Sequence, residues 1–334
     1  MHWGVPEREI LLRMGITPDF KAKETLDFTH RNDAGVDVYF VRNKGAVALR
    51  EAALFRVRDR APEFWDPVSG KIERAVAYRE TQSGVEVPLD LAPRGSMFVI
   101  FRDRPAPGGG LSLLAGDAVL ASDATGPVLR TETNGAFEVT RTGGGTTTVK
   151  VEDLPGSMDL SVDWNVQFES PVGAPNAVHL PRVAAWTTLP SESHRYFSGT
   201  GAYRRTFTLP AGWLKPDRRV ELDLGDLWTI ADIRVNGRPL GVTWTPPFRM
   251  DCTAVLREGE NEIVVTVANT WHNRLVGDAR LDGPGVTRTN VTVSQGRLWH
   301  DGAWRQLELI PSGLMGPVRL VPVARVPIRV GRIH

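Results

Sequence analysis

One stretch of the chain, from Ser198 to Asp278, restricts the fold more than any other because apolar and polar residues alternate along it. Residues Val220 to Leu224 have a period of two, which places their apolar members on one face of a β-strand. Asn236-Gly237 directly follows another apolar strand, and because both residue types tolerate positive φ, the pair predicts a tight hairpin. A run rich in β-branched residues, from Ile263 to Val267, predicts a central strand. The stretch therefore predicts an antiparallel sheet with one buried face.

Short strand patterns also fill the chain before this stretch. Leu26 to Asn43 reads as two alternating strands around a turn, and further short strands follow at regular spacing. The sequence PAPGGG at residues 105–110 combines proline with consecutive glycines, which predicts a linker. We therefore predict an all-β protein. Its parts are a short helical lead-in (1–25), a small antiparallel β-sandwich (26–104), the linker (105–110) and a second β-sandwich (111–325).

Composition excludes several classes of partner. The chain has 334 residues, of which 41% are hydrophobic and 24% charged, and its net charge is +1. This balance gives no basic field that would attract nucleic acid. No apolar run approaches the roughly 20 residues of a membrane helix, so we expect no membrane association. A neutral partner such as a sugar is the better expectation.

The chain ends and the single cysteine add little about location. Cys252 excludes an internal disulfide and is expected to be a small buried apolar residue. The first residues, MHWGVPEREILLRMG, carry charges where a signal peptide has its apolar core, so we predict no export signal in this chain. The compartment is left open.

Ten tryptophans against four tyrosines direct attention to aromatic side chains in turns. Trp271-His272-Asn273-Arg274 follows the strand predicted at Ile263–Val267, where an indole can stack on a sugar ring and Asn and Arg can donate to hydroxyls. The alternative is that Trp271 packs over the end of the sandwich and Arg274 pairs with Asp278. We include Asp278 in this candidate sugar site.

Two further candidates are less local. Trp244 precedes a rigid corner, Pro246-Pro247-Phe248, which either presents an aromatic to a ligand or stabilises a loop. His30-Arg31 lies on the first strand and is either a ligand-facing pair or a surface histidine beside an arginine paired with an aspartate.

We predict no cofactor and no catalytic residue. The glycine runs lack the following helix of a phosphate site, and the seven histidines are scattered. Asp232, Asp251 and Asp278 leave calcium as a possibility, because hard cations take oxygen ligands, although the same residues serve equally as turn acceptors.

The central stretch resembles the galactose-binding-like β-sandwich that accompanies many glycoside hydrolases, and the resemblance implies that residues 111–325 form a jelly-roll β-sandwich. The resemblance is carried by GTGAYRRTF, VELDLGDLWTIADIRVNG and GVTWTPPFRMDCTAVLREGENEIVVTV. Four further motifs are similar to the C-terminal region of glycoside hydrolase family 106, the α-L-rhamnosidases. They are PPF before Arg-x-Asp, the tail NTWHNRLVGD, the early Pro18-Asp19-Phe20 and the closing PSGLMGPV.

This resemblance implies a function that the patterns alone do not. In the family the catalytic acids belong to a barrel, and no series of eight strand and helix units is readable here. The chain is therefore expected to be a C-terminal, non-catalytic portion that binds or supports rhamnose-containing plant or microbial glycans. Its expected partner is a catalytic barrel, upstream or on another chain, and full-length relatives are expected to be exported. A free-standing glycosidase and a protein-interaction or adhesion module are the alternatives.

Overall fold

The computed structural model describes residues 7–104, 110–142, 145–171, 173–281 and 301–329. The described chain forms two compact units. The first contains the residues up to Asp153 together with those from Ala324 onward, and the second runs from Leu154 to Val323. Antiparallel strands dominate both units, so the predicted all-β class is confirmed.

The first unit begins with a short helix, α1 (Glu7–Arg13), and continues as strands. These strands are β1 (Phe20–Lys21), β2 (Leu26–Asp33), β3 (Val36–Asn43), β4 (Leu49–Phe55), β5 (Pro62–Trp65), β6 (Ile72–Arg74), β7 (Arg79–Thr81), β8 (Gly84–Leu91), β9 (Ser96–Phe101), β10 (Leu111–Ala115), β11 (Val119–Asp123), β12 (Gly126–Thr131), β13 (Gly135–Arg141) and β14 (Thr146–Val151).

The first nine strands form the small N-terminal sandwich. One sheet has the order β1-β4-β8-β7 and the other has the order β2-β3-β9-β5-β6. The β2–β3 hairpin turns at Ala34 and Gly35, both with positive φ, a conformation that glycine adopts without strain. Tyr39, Phe55 and Phe101 lie at the centre of the shared core and make edge or tilted ring contacts there. Burial of these large rings supplies much of the stabilisation of this sandwich.

Strands β10 to β14 follow the predicted linker, of which residues 105–109 lie outside the described residues. Strands β10, β13 and β14 form a three-stranded sheet, whereas β11 and β12 form a hairpin. The second strand of this hairpin pairs with Ala324–Pro327 near the end of the chain. This pairing is why the chain end groups with the first unit.

The described part of the second unit contains three short α-helices and most of the remaining strands. The helices are α2 (Glu192–Arg195), α3 (His272–Arg280) and α4 (Asp301–Gln306). The strands are β15 (Met158–Asp159), β16 (Val162–Glu169), β17 (Val178–Arg182), β18 (Thr200–Leu209), β19 (Arg218–Asp223), β20 (Asp226–Trp228), β21 (Ile230–Val235), β22 (Arg238–Thr243), β23 (Arg249–Asp251), β24 (Gly259–Ala268), β25 (Gly313–Gly316) and β26 (Arg319–Pro327).

Two sheets enclose the core of the second unit. The larger has the order β17-β16-β18-β24-β21-β22, and β18 pairs with β24 along ten residues. The facing strands are β26, β19 and β23, with β15 beside β26. Inward residues of both sheets, such as Val265 and Leu222, are fully buried, and outward residues between them are polar or half-buried. The predicted hairpin is present, with Asn236 and Gly237 both at positive φ.

Hydrogen bonds to the Tyr203 hydroxyl connect this core to β25, and we call the group formed by Trp186, Tyr203 and Leu314 the hydrogen-bonded lock. The indole Nε1 of Trp186 donates to the hydroxyl of Tyr203 at 2.6 Å, and the backbone N–H of Leu314 donates to the same oxygen at 2.9 Å. Tyr203 is fully buried, and its burial raises the pKa of the phenol, so the hydroxyl stays neutral. Gly313 has a positive φ, and a Cβ there would lie 2.5 Å from the Tyr203 hydroxyl, so the lock requires glycine.

Among the described helices, none has the length and apolar character needed to cross a membrane.

Candidate carbohydrate-binding site

Three tryptophans on the second unit are exposed to solvent. Trp228, Trp244 and Trp271 expose 40%, 58% and 47% of their surfaces, respectively. Large aromatic side chains usually bury most of their area, so the three exposed indoles make this unit the place to look for a binding surface.

The strand register brings these three residues to the same end of the larger sheet. Strand β24 ends at Ala268, which pairs with Ile230, the first residue of β21. Trp228 lies two residues before Ile230, and Trp271 lies three residues after Ala268. Trp244 follows the last residue of β22, next to the start of β21. Neighbouring strands are about 4.8 Å apart, so β22 and β24 are separated by about 10 Å. We call Trp228, Trp244 and Trp271 the tryptophan rim.

Beside the rim, the middle of the sheet's outer face carries short side chains, and we call this stretch the trough. Its two central strands, β18 and β24, carry short, half-buried side chains there, among them Ala202 and Thr266. Longer polar side chains stand on β16 to one side, including Gln167. Asp232 and the exposed Val242 stand on the other side. A sugar lying in this trough would meet a low floor, polar groups on both sides and the indoles at one end.

Helix α3 holds the residues that follow Trp271. His272 Nε2 lies 2.8 Å from the carbonyl oxygen of Glu308, and the His272 and Trp304 rings form a T-shaped contact with 5.6 Å between their centroids. Asn273 is buried: its amide donates to the Ile310 carbonyl at 2.7 Å and to Ser312 Oγ at 2.9 Å, and accepts from the Ile310 N–H. Both amide donors of Asn273 are thus used within the fold, and neither is available to a sugar hydroxyl.

Arg274 and Asp278 lie one turn apart on α3 and contact each other. Arg274 Nε donates to Asp278 Oδ1 at 3.0 Å, and both side chains are largely buried. This is the ion pair that the sequence offered as the alternative to ligand binding. Of the predicted group, which consists of Trp271 to Arg274 and Asp278, only Trp271 is strongly exposed.

The proline corner, Pro246-Pro247, lies between two aromatic residues, Trp244 and Phe248. Phe248 is buried in the core of the second unit. Arg249 then turns toward the acidic side chains of β19, reaching Glu221 at 3.1 Å. Because Phe248 fixes the loop from inside, Trp244 stays on the surface at the end of β22. The corner therefore fixes the loop and leaves Trp244 exposed, and its presentation to a ligand stays a prediction.

His30 and Arg31 belong to the first unit. They lie on β2, far from the rim residues in sequence and in a different sheet. His30 lies between two carboxylates, with Nδ1 3.3 Å from Asp19 and Nε2 3.1 Å from Asp37, and it stacks on Tyr39 at 4.0 Å. A hydrogen bond from Arg56 lowers the pKa of Asp19, so that carboxylate is ionised near neutral pH. Arg31 points to the exposed side of β2. Among the described residues, the side-chain partners of His30 are thus two aspartates.

The three aspartates considered for calcium have separate partners. Asp232 lies 3.8 Å from Arg234, Asp251 accepts from the Thr253 N–H at 2.9 Å, and Asp278 pairs with Arg274. Within the part of the chain that the structure describes, no three acidic, histidine or cysteine side chains gather in a metal-binding group.

Sequence reasoning missed Trp228 and the trough. Trp228 sits in a three-residue strand, where one exposed indole leaves no periodic signal. The trough residues are ordinary outward positions of strands, and only the register shows that short side chains align across β18 and β24.

Two parts of the chain match known sequence families. Residues 1–80 match the sequence profile of the α-L-rhamnosidase family, glycoside hydrolase family 106. Residues 194–294 match the galactose-binding-like domain of glycosyl hydrolase 2 proteins, and all three rim tryptophans fall within this range.

Two relatives extend the comparison. The structure of a rhamnosidase from Novosphingobium sp. PP1Y is similar over 95% of this chain, with 29% identity and a TM-score of 0.69. A β-glucuronidase-like protein of Formosa agariphila is 35% identical over 185 residues, which are 51% of this chain. The chain spans 26% of the rhamnosidase and 16% of the second relative. The chain is therefore related to the glycoside hydrolases of the rhamnosidase and β-glucuronidase type and carries a galactose-binding-like domain.

Proposed function

We propose that this chain is the carbohydrate-binding and scaffolding portion of an α-L-rhamnosidase-like glycoside hydrolase that acts on rhamnose-containing glycans. The observation that carries the proposal is the tryptophan rim, because three exposed indoles occur together within the galactose-binding-like region. The sugar contacts belong to Trp228, Trp244 and Trp271, with Asp232 and Gln167 as nearby polar groups.

The chemistry of a deoxy sugar suits such a surface. One face of a pyranose ring is largely C–H, and rhamnose adds a methyl group in place of a hydroxymethyl. Indole faces stack on such apolar surfaces and tolerate the polar edge of the ring. A few polar groups beside them, such as the Asp232 carboxylate and the Gln167 amide, would fix the orientation of the hydroxyls.

The partner in this proposal is a catalytic barrel, because the chain spans only 26% of the rhamnosidase whose structure it resembles. Glycoside hydrolysis commonly uses two carboxyl groups placed across the scissile bond. We assign no such pair here, and the barrel would supply it from upstream or from another chain. Residues 1–80, which match the rhamnosidase family, are the part of this chain expected to meet that barrel.

A second candidate function is a protein-interaction module. Ile230 and Val242 are exposed apolar residues on the same sheet face as the trough, and such residues also suit a protein surface. The two functions differ in what the rim binds.

Isothermal titration with rhamnose and with rhamnosylated oligosaccharides tests the proposal. Trp244→Ala and Trp271→Ala should each weaken sugar binding by about 2- to 12-fold, the range expected from losing one aromatic stacking contact. Val47→Ala is the control, because Val47 is 73% exposed and lies in the first unit. Absence of heat with every sugar, with and without the barrel segment, would refute the proposal and leave the interaction module.

A further inference from the structure

The outer face of one sheet in the N-terminal sandwich is apolar. In this sheet, β2-β3-β9-β5-β6, Tyr39 of β3 and Val99 of β9 lie in the core, so the residues on either side of each point outward. The strand register aligns six outward apolar side chains across β3, β9, β5 and β6. Phe40, Phe98, Trp65 and Ile72 form one row, Val38 and Ile100 form the next, and we call these six residues the apolar band.

The other sheet of the same sandwich provides a contrast. On its outer face, ion pairs join neighbouring strands: Arg50 lies 2.9 Å from Asp90, and Arg79 lies 2.8 Å from Glu86. An antiparallel sheet commonly packs one face on the core and exposes a polar face to solvent. The sheet that carries the apolar band departs from this pattern, yet every member of the band except Ile100 retains accessible surface. This departure favours a partner that covers the band.

The one carboxylate within the band is already neutralised. Glu63 lies opposite Ile100 on this face and is only 3% exposed. Its Oε2 accepts from Trp65 Nε1 at 3.1 Å, and its Oε1 accepts from Arg102 Nε at 3.2 Å. The Arg102 guanidinium also lies 5.6 Å from the centroid of the Trp65 ring. Because both carboxylate oxygens have partners, a protein that covered this face would leave no unpaired charge at Glu63.

The size of the band decides between kinds of partner. It crosses four strands spaced about 4.8 Å apart and is two residue rows deep, about 7 Å, so with the width of its side chains it covers on the order of 250 Å². A stable complex between separate proteins buries at least about 600 Å² on each partner. The band alone is therefore too small to hold a second copy of the chain or a free protein. A domain joined to the chain needs far less area, because the link raises its effective concentration to about the millimolar range.

We propose that the apolar band is the docking surface for a catalytic barrel of the same polypeptide, covered by apolar residues on the helices that flank such a barrel. Three of its four strands, β3, β5 and β6, lie within residues 1–80, which match the α-L-rhamnosidase family. The chain also spans only 26% of the rhamnosidase that it resembles. The identity of the partner as a barrel rests on the proposed function, whereas the apolar character and the need for a linked partner rest on the band alone.

Hydroxyl-radical footprinting of this chain and of the full-length polypeptide tests the docking surface. Phe40, Trp65 and Phe98 should be oxidised in this chain and should lose that oxidation in the full-length protein. Pro88 is the matched control, because it is exposed on the outer face of the opposite sheet, and its oxidation should be the same in both. Equal oxidation of the band in both proteins, or a reading frame that encodes no barrel, would overturn the proposal. Oxidation of the band that falls as the concentration of this chain rises would assign the face to a second copy instead.

A charge placed in the band supplies a second measurement. Phe40→Lys in the full-length protein should restore the oxidation of Trp65 and Phe98, because a lysine there would have to be buried without a partner. Ala52→Lys is the matched control, since Ala52 is an exposed residue of β4 in the opposite sheet, and it should leave the protection intact. Continued protection of Trp65 in folded Phe40→Lys would contradict the docking surface. The footprint of the two unaltered proteins decides the question if Phe40→Lys does not fold.

The outcome is separable from that of sugar binding at the rim. Phe40→Lys in this chain should leave the binding of rhamnosylated oligosaccharides unchanged, and Trp244→Ala should leave the protection of the band unchanged. Sugar binding without protection of the band would overturn the docking surface alone. Protection of the band without sugar binding would support the docking surface and overturn the carbohydrate-binding role of the rim.

Discussion

Replacement of Tyr203 by phenylalanine isolates the hydrogen-bonded lock of the second unit. The substitution removes one oxygen and leaves the buried ring in place. That oxygen accepts from Trp186 Nε1 at 2.6 Å and from the Leu314 N–H at 2.9 Å. Trp186 and Leu314 are both buried, so their N–H groups would have no water to replace the lost acceptor.

The expected cost follows from these two donors. A buried donor left unsatisfied costs about 1–3 kcal/mol, so two donors give about 2–6 kcal/mol. Removal of the desolvation cost of the phenol hydroxyl offsets part of this. We expect Tyr203→Phe to reduce the free energy of unfolding of the second unit by about 2–4 kcal/mol.

Urea unfolding followed by tryptophan fluorescence is the assay. Eight of the ten tryptophans lie between Leu154 and Val323, so the signal reports mainly the second unit. The denaturant dependence should stay constant while the midpoint falls. Tyr39→Phe is the control, because the Tyr39 hydroxyl makes one hydrogen bond of 3.3 Å, to the Asp19 carbonyl, in the first unit. A change below about 0.5 kcal/mol for Tyr203→Phe would refute the reasoning, since even one orphaned donor should cost more.

Three other results are expected. Arg56 lowers the pKa of Asp19 in the folded chain. The ionised carboxylate therefore stabilises the first unit above the unfolded-state pKa of about 3.9, and this stabilisation is lost as the pH falls through the lower folded-state pKa. Asp19→Asn should therefore flatten the acid limb of a thermal-midpoint profile below about pH 4, and an unchanged limb would contradict this. Cys252 is fully buried, and burial raises its pKa to about 12, so a thiol reagent should label it only in concentrated urea; rapid labelling of the folded chain would contradict its burial. Asn273→Ala removes three hydrogen bonds at α3 and should cost about 2 kcal/mol or more in urea unfolding, and a neutral result would show that the contacts to Ile310 and Ser312 are dispensable.

Local periodicity was sufficient for most strands. Strands β2 and β3 occupy the segment from Leu26 to Asn43, where the alternation predicted two strands around a turn, and the Asn236-Gly237 turn lies where two positive φ values are needed. These features depend on neighbouring residues, so a single sequence carries them. The two-sheet core follows from the same alternation, because each strand has one apolar face to bury.

Elements that depend on distant partners were missed. Strand β17 lies in a segment rich in proline and glycine, and its hydrogen bonds come from β16. Helix α3 contains Gly277, which lowers helix propensity, but a Cβ there would meet Tyr196 at 2.6 Å, so tertiary packing selects glycine. Residues 307–309 are irregular, and side chains distant in sequence bind their carbonyl groups: Arg280 binds that of Leu307, and His272 that of Glu308.

In the candidate site too, features set by neighbouring residues were predicted and features set by distant residues were not. The turn-like surroundings of Trp244 and Trp271 identified them as exposed aromatics, and both are exposed. Nothing local showed that Asn273 bonds to Ile310, 37 residues away. The alignment of Trp228 with the other two indoles depends on the pairing of β21 with β24, which only the fold reveals.

The central claim is that the exposed indoles of the second unit bind a sugar, and the indole N–H signals in a ¹⁵N–¹H correlation spectrum test it most directly. During titration with a rhamnosylated oligosaccharide, the signals of Trp228, Trp244 and Trp271 should shift in a saturable way. Those of Trp65 in the first unit and of the buried Trp164 should stay constant. Unchanged rim signals at millimolar sugar, or shifts confined to Trp65 and Trp164, would contradict the account.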